Sequence, residues 1–370
     1  MIKKIVVVAN NSGGLYGFRK ELLYSFVKKG VEVVCLTPFD DDVDNLKKIG
    51  VKLIETPIDR RGINPVKDIL LFFNYLRLIK KEKPDLVVTY TIKPNIYASI
   101  ASKLLHIEYA NNITGLGTAF QNDGFLRKLV VGLYKISFRK SKVVFFENID
   151  NLNTIVDLEI IDKQRACLLN GAGVNLEEFG FVNYPKKSNV TRFLFMGRVM
   201  AEKGVNELFD ATRKLISDGY KISLTLLGNY EEDYKDTIEN YEQEGWLDYQ
   251  GYQDDVKPFI EKAHCFVLPS WHEGMANTNL ECGAMGRPII TSNIHGCLEA
   301  VIDGETGFLA EPKNADDLYD KMKKFIDLPY DKKVEMGQAS HNHIAGKFDK
   351  KDVVSKTIER IFSLIVRNSL

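Results

Sequence analysis

A chain of 370 residues, 45% hydrophobic and 27% charged, has material for two or three domains and ample core. Its 50 basic and 50 acidic side chains cancel to a formal net charge of zero, which argues against general nucleic-acid binding. The five cysteines show no CxxC spacing, which fits reduced thiols of a cytoplasmic protein, and no apolar run is long enough to span a bilayer.

The start, residues 1–8, has the charges of a signal peptide but too short an apolar core and no small-residue cleavage site, so residues 5–8 are read as a first buried strand. A glycine-rich turn at Asn11-Ser12-Gly13-Gly14 leads into a helix that stops at Gly30. Strand-like runs follow at 31–36, 52–56, 86–91, 109–113, 143–146 and 167–169. Helical stretches lie between them, including 65–81 with Asn64 as N-cap and Pro65 at the first helical position. The polar, proline-bearing stretch 183–189 reads as a linker. The alternation then restarts with strands at 193–196, 223–227, 248–252, 266–268 and 289–291, a helix at 205–216 and a terminal helix at 352–366. Strands alternating with helices predict an α/β protein with parallel sheets covered on both faces, in two successive units.

Three stretches carry chemistry. The turn at Gly13 and Gly14 allows a phosphate close to the backbone, or is simply a tight strand-helix turn; it matches neither GxGxxG nor a P-loop. Arg198 and Lys203, in Gly197-Arg198-Val199-Met200-Ala201-Glu202-Lys203-Gly204, follow the first strand of the second unit. They stand where open α/β sheets bind ligands and could hold a diphosphate. Glu273 and Glu281 lie eight residues apart, the first in a loop after the apolar run 265–269, the second on the following helix. Carboxylates there accept from sugar hydroxyls, and the amides at the helix start attract phosphate. His264, His272 and His295 have no metal-site spacing; Trp271 fits either sugar packing or core.

The E-x7-E frame preceded by GRVMAEKG resembles the retaining, nucleotide-sugar-dependent glycosyltransferases of family four. Residues 170–179 and 302–309 resemble that family's segment before the interdomain linker and its late motif. Residues 91–95 and 112–117 are similar to a subgroup that builds bacterial surface polysaccharides on lipid carriers, several of whose members add N-acetylgalactosamine to an undecaprenyl-diphosphate acceptor. The resemblance implies a GT-B fold: two Rossmann-like domains facing across a cleft. Residues 1–183 plus the helix at about 352–370 would form the acceptor side, and 190–351 the nucleotide-sugar side, with closure on a hinge near 183–190. It implies that Arg198 and Lys203 clamp the diphosphate and that Glu273 meets the transferred sugar. It further implies donor contacts from Gly13, Gly14, Gly228, Asn229, Tyr252, Met275, Ala276, Asn277, Thr278 and Glu281. Lys93, Asn95 and Thr114 fall on the acceptor side, although many members carry a histidine at or beside Lys93. The implied partners are a nucleotide sugar, UDP-linked, and a lipid-linked glycan acceptor, with no metal or cofactor and no nucleic acid.

Other readings stand beside this one. Asp42-Val43-Asp44 spells the DxD of metal-dependent transferases but lies in an acidic run that reads as a solvated helix start. An epimerase of the same fold would need acid/base groups on both sides of the sugar, and a non-catalytic binding protein would not need the full set of charged residues. Residues 125–142 hold six basic side chains, no acid and interleaved apolar residues. That pattern fits an anionic membrane surface, and so a peripheral place at the inner face of the plasma membrane, or an ordinary surface helix.

Overall fold

The computed structural model describes residues 2–60, 62, 64–117, 120 and 124–366, without the side chains of 364–366. The chain divides into two compact units, Met1–Ala172 with Lys350–Leu370, and Gly173–Asp349.

The first unit opens with β1 (Lys4–Val8), α1 (Ser12–Lys28), β2 (Glu32–Thr37), α2 (Val43–Lys48) and β3 (Lys52–Glu55). It continues through α3 (Pro65–Glu82), β4 (Leu86–Tyr90), α4 (Ile92–Leu104) and β5 (Glu108–Ile113). It closes with α5 (Phe125–Ser137), β6 (Val144–Phe146), α6 (Ile149–Asp157) and β7 (Ala166–Leu168). The seven strands run β3-β2-β1-β4-β5-β6-β7, all parallel. Residues 5–8 are wholly buried because helices cover both faces. Asn64 caps α3 as its sequence position predicts, accepting from the amides of Val66 and Lys67.

The second unit repeats the plan. It runs β8 (Thr191–Met196), α7 (Val205–Ser217), β9 (Ile222–Leu227), α8 (Lys235–Gln243), β10 (Leu247–Gly251) and α9 (Lys257–Lys262). Then come β11 (Cys265–Leu268), α10 (Asn277–Ala284), β12 (Ile289–Ser292), β13 (Gly307–Ala310), α11 (Ala315–Asp327) and α12 (Tyr330–Lys347). Its six parallel strands are ordered β10-β9-β8-β11-β12-β13. The last helix, α13 (Lys350–Val366), returns to the first unit and packs on α1.

The stretch 183–189 lies inside the second unit, because buried groups of that unit hold it. The fully buried Arg287 donates to the carbonyls of Val182 and Asn183 at 3.0 and 2.9 Å. The Tyr184 hydroxyl donates to the His264 carbonyl, and the Tyr330 hydroxyl to that of Pro185. The chain instead passes between units at 172–173 and 349–350.

His264 supplies a pH dependence. It is 6% exposed, and its Nδ1 accepts from the Arg192 amide at 2.9 Å. Burial, followed by the neighbouring Arg192 charge, lowers its pKa to about 4. The folded state therefore holds neutral histidine, and the unfolded chain binds the extra proton between about pH 6.5 and pH 4. Thermal unfolding followed against pH should show stability fully present above pH 6.5 and lost as pH falls through this window. The His264→Gln variant should lose that component of the slope.

Candidate active site

In a parallel sheet the loops after each strand gather at one edge, and ligands bind where the strand order reverses. In the second unit that point lies between β8 and β11. The loop after β8 carries Arg198 and Lys203, and the loop after β11 carries Glu273.

Two close approaches lock these loops together. Gly204 has φ +73°, and a Cβ there would sit 2.0 Å from the Pro269 carbonyl oxygen. The Trp271 amide donates to the Glu202 carbonyl at 2.9 Å. On this frame the Lys203 Nζ forms an ion pair with Glu273 Oε1, and the Ser270 hydroxyl donates to the same oxygen at 2.8 Å. Both charged side chains are largely sequestered, at 17% and 13% exposure. His272 Nε2 lies 3.2 Å from Glu202 Oε2, and the Trp271 indole N–H donates to Glu207. Lys313 covers the Trp271 ring, so this tryptophan is braced into the wall.

Arg198 is half exposed and faces Glu231 at 3.8 Å. Its loop packs on the end of β9. The Val199 amide donates to the Asn229 carbonyl, and Gly228 approaches so closely that a Cβ would lie 1.8 Å from the Gly197 oxygen. Gly228 and Asn229 therefore shape the backbone floor beside Arg198. Tyr252, just past β10, is 65% exposed at the same edge.

Helix α10 starts where the sequence places it. Its N-cap is Ala276, which has no side-chain acceptor, so no cap covers the first-turn amides. Met275 and Ala276 are buried, and the Ala276 amide is held by the Gly296 carbonyl at 2.7 Å. Asn277 has a buried Oδ1 with no hydrogen-bond partner. Thr278 and Glu281 lie half-buried on the first two turns of α10. The arrangement can bind an anion at the amides and cations, and hydroxyls at the carboxylates. A groove of about 300 Å³ beneath α9, lined by Arg192, Thr225, Asp248 and Lys262, contains none of these residues.

The first unit corrects several expectations. Gly13 and Gly14 lie within the first turn of α1, not in a turn before it. They are small because side chains crowd them: a Cβ on Gly13 would meet Asp41 at 3.0 Å, and on Gly14 the Asn11 Oδ1 at 2.6 Å. The Ser12 amide at the start of α1 already donates to the Asp40 carboxylate at 2.6 Å. Burial opposes the Asp40 charge, but hydrogen bonds from Ser12 and from the Asp41 amide outweigh it and hold the pKa below the usual carboxylate value. Lys93, on the first turn of α4, is paired to Asp68 at 2.7 Å. Asn95 is 1% exposed and cannot meet an acceptor from there. Its Oδ1 accepts from Thr89 at 2.5 Å, and its Nδ2 donates to the Asn112 carbonyl at 2.8 Å. Thr114 is half-buried just after β5.

The sequence reading missed Ser270, Glu231 and Thr91. The first two have no spacing signal; they matter only through contacts formed by folding. Thr91, the N-cap of α4 just past β4, has φ +71° and ψ 167°, a region that glycine normally occupies, and its buried Oγ1 has no partner. Among the described residues no group of three or more His, Cys, Asp or Glu side chains could hold a metal ion.

Two family models match in tandem: "Glycosyl transferase 4-like" over residues 4–148 and "Glycosyl transferases group 1" over residues 177–343. The chain is a glycosyltransferase of the GT-B fold. The transferase is 25% identical to the N,N'-diacetylbacillosaminyl-diphospho-undecaprenol alpha-1,3-N-acetylgalactosaminyltransferase of Campylobacter jejuni, over 99% of this chain and 100% of that protein. It is 27% identical to the UDP-Gal:alpha-D-GlcNAc-diphosphoundecaprenol alpha-1,3-galactosyltransferase of Escherichia coli, over 89% of this chain and 86% of that one. Among solved structures, an Anabaena protein in complex with UDP and glucose superposes with a TM-score of 0.79 at 14% identity, over 97% of this chain and 99% of its own.

The buried amide yields a test of the transferase's acceptor side. Asn95→Ala strands the Thr89 hydroxyl and the Asn112 carbonyl, at a cost of about 1–3 kcal/mol. Thermal unfolding should fall accordingly while the KM for acceptor stays at the wild-type value. A raised KM in a variant of unchanged stability would restore Asn95 to the acceptor site.

Proposed function

We propose that this enzyme is a retaining transferase that moves a hexose or N-acetylhexosamine from a UDP-linked sugar to a polyprenyl-diphosphate-linked glycan in bacterial surface-polysaccharide assembly. The observation that carries the reading is one sheet edge of the second unit that bears the Lys203–Glu273 pair, Arg198 and the uncapped start of α10. The names of the Campylobacter and Escherichia relatives support a lipid-diphosphate acceptor, and the Escherichia name and the Anabaena complex support UDP.

In this mechanism Arg198 and Lys203 hold the donor diphosphate and stabilise the charge that builds on it as the bond to the sugar's anomeric carbon breaks. The α10 amides at Asn277 and Thr278 receive a phosphate oxygen, and Glu281 accepts from the ribose hydroxyls. Glu273 accepts from hydroxyls of the transferred sugar, with Ser270 fixing its carboxylate. The acceptor oxygen bonds to the anomeric carbon on the face the leaving group departs from, so configuration is retained. Its proton passes to a donor phosphate oxygen. The two cations supply the counter-charge, so the reaction needs no metal. Lys93 and Thr114 belong to the acceptor side. The reading extends to an anionic membrane at the inner face of the plasma membrane, met by residues 125–142.

Arg198→Ala and Glu273→Ala should each lower turnover by roughly 100-fold or more, about 3 kcal/mol in the barrier; thermal unfolding should hold in Arg198→Ala and fall in Glu273→Ala, which leaves Lys203 without its partner. NMR of the product should show the donor's anomeric configuration, and a chelator should leave the rate unchanged. Wild-type turnover in both variants, or conversion of the donor to another sugar nucleotide without acceptor, would overturn the proposal.

A further inference from the structure

A carboxylate outside the proposed mechanism stands behind the candidate site. Glu299 lies in the segment between β12 and β13 of the second unit, and β12 pairs with β11, whose loop carries Glu273. Its side chain is mostly withdrawn from water, at 16% exposure. Both oxygens reach back along the chain. Oε2 accepts from the Gly296 amide at 2.7 Å, and Oε1 accepts from His295 Nδ1 at 2.8 Å. The backbone of Glu299 is fixed in turn from α12, where His343 Nε2 donates to its carbonyl at 2.9 Å.

Gly296, the residue this carboxylate holds, touches the site twice. Its carbonyl accepts from the Ala276 amide at 2.7 Å, directly before α10. Its backbone also presses on the loop of Glu273. It has φ +92°, and a Cβ there would sit 2.7 Å from the Glu273 carbonyl oxygen and 2.9 Å from that of Gly274. Only glycine allows this approach, and glycine is also the residue with the most backbone freedom to lose. The Glu299 carboxylate supplies the restraint. A hydrogen bond from an amide to a charged acceptor is roughly twice as strong as one between neutral groups.

We propose that Glu299 is a positioning residue for sugar transfer: through Gly296 it sets the backbone of Glu273 and the start of α10, without touching substrate itself. The inference rests on the proposed contact between Glu273 and the transferred sugar. The Glu273 side chain is held at its tip by Lys203 and Ser270 and at its root by Gly296. A shift at the root moves the tip relative to the anomeric carbon, and misplacement of about 1 Å can cost on the order of 100-fold in rate. His295 completes the grip by engaging the second carboxylate oxygen.

The test separates reach from charge. Glu299→Asp keeps the charge but draws the carboxylate back by one methylene, away from Gly296. Glu299→Gln keeps the reach, and its amide oxygen still accepts from the Gly296 amide. Glu299→Asp should lower kcat at least about tenfold while UDP affinity changes less than about threefold, and Glu299→Gln should hold kcat within about threefold of the wild type. In a Glu273→Gln background, Glu299→Asp should cost less than about a further twofold, because the group it positions is already disabled. Gly296→Ala, which sets a methyl against the Glu273 carbonyl, should repeat both results and carries the cycle if Glu299→Asp does not fold. Fluorine NMR of the fluorotryptophan-labelled protein reads the loop without any reaction. The Trp271 resonance, from the same loop as Glu273, should shift in Glu299→Asp and stay in Glu299→Gln. Trp246, packed on Tyr241 and Phe209, is the internal control.

Wild-type kcat in Glu299→Asp, equal losses in the Asp and Gln variants, or losses that multiply fully in the Glu273→Gln background would overturn the inference. A Trp271 shift and a fall in kcat in Glu299→Asp, beside wild-type turnover in Glu273→Gln, would uphold Glu299 as the positioning residue and sink the sugar contact of Glu273.

Discussion

The ion pair between Lys203 and Glu273 is the interaction on which the site depends. Each residue comes from a different loop, and each loop is held by backbone packing that tolerates no side chain at Gly204. The pair is mostly withdrawn from water, so removing either member leaves the other partly buried without its partner. It also sets what the site must do when a donor arrives. In the proposed mechanism a diphosphate shares Lys203 with Glu273, the carboxylate then turns lone pairs toward the sugar, and this one contact couples the recognition of the leaving group to that of the transferred group.

The two units use the same sheet edge differently. In the second, α10 begins behind Ala276 with no side-chain cap, at the sheet edge whose loops also carry Arg198 and Lys203. In the first, the opening amide of α1 is occupied by Asp40, with Asp41 beside Gly13. Electrostatics therefore assign anion binding chiefly to the second unit.

Much of this was legible before any coordinates. Buried parallel strands announce themselves as short, wholly apolar runs, so residues 5–8 and 86–91 could be placed, and the Asn64-Pro65 pair marked the start of α3. The chemistry-bearing loops were legible because they follow such runs directly. Contacts between distant residues were not. Nothing in the spacing shows that Asn95 turns inward to Thr89 and Asn112, or that Asp40 reaches Ser12. The stretch 183–189 looked like a linker from its polarity; its anchors, Arg287 and Tyr330, lie more than a hundred residues away.

The central claim is that Lys203 binds the leaving diphosphate while Glu273 addresses the sugar. UDP affinity and turnover measured on Lys203→Ala and Glu273→Gln test it directly. The account predicts that Lys203→Ala loses both. Glu273→Gln, which frees Lys203 from its counter-charge, should hold UDP at least as tightly as the wild type yet turn over far more slowly. Unchanged UDP affinity in Lys203→Ala, or full turnover in Glu273→Gln, would contradict it.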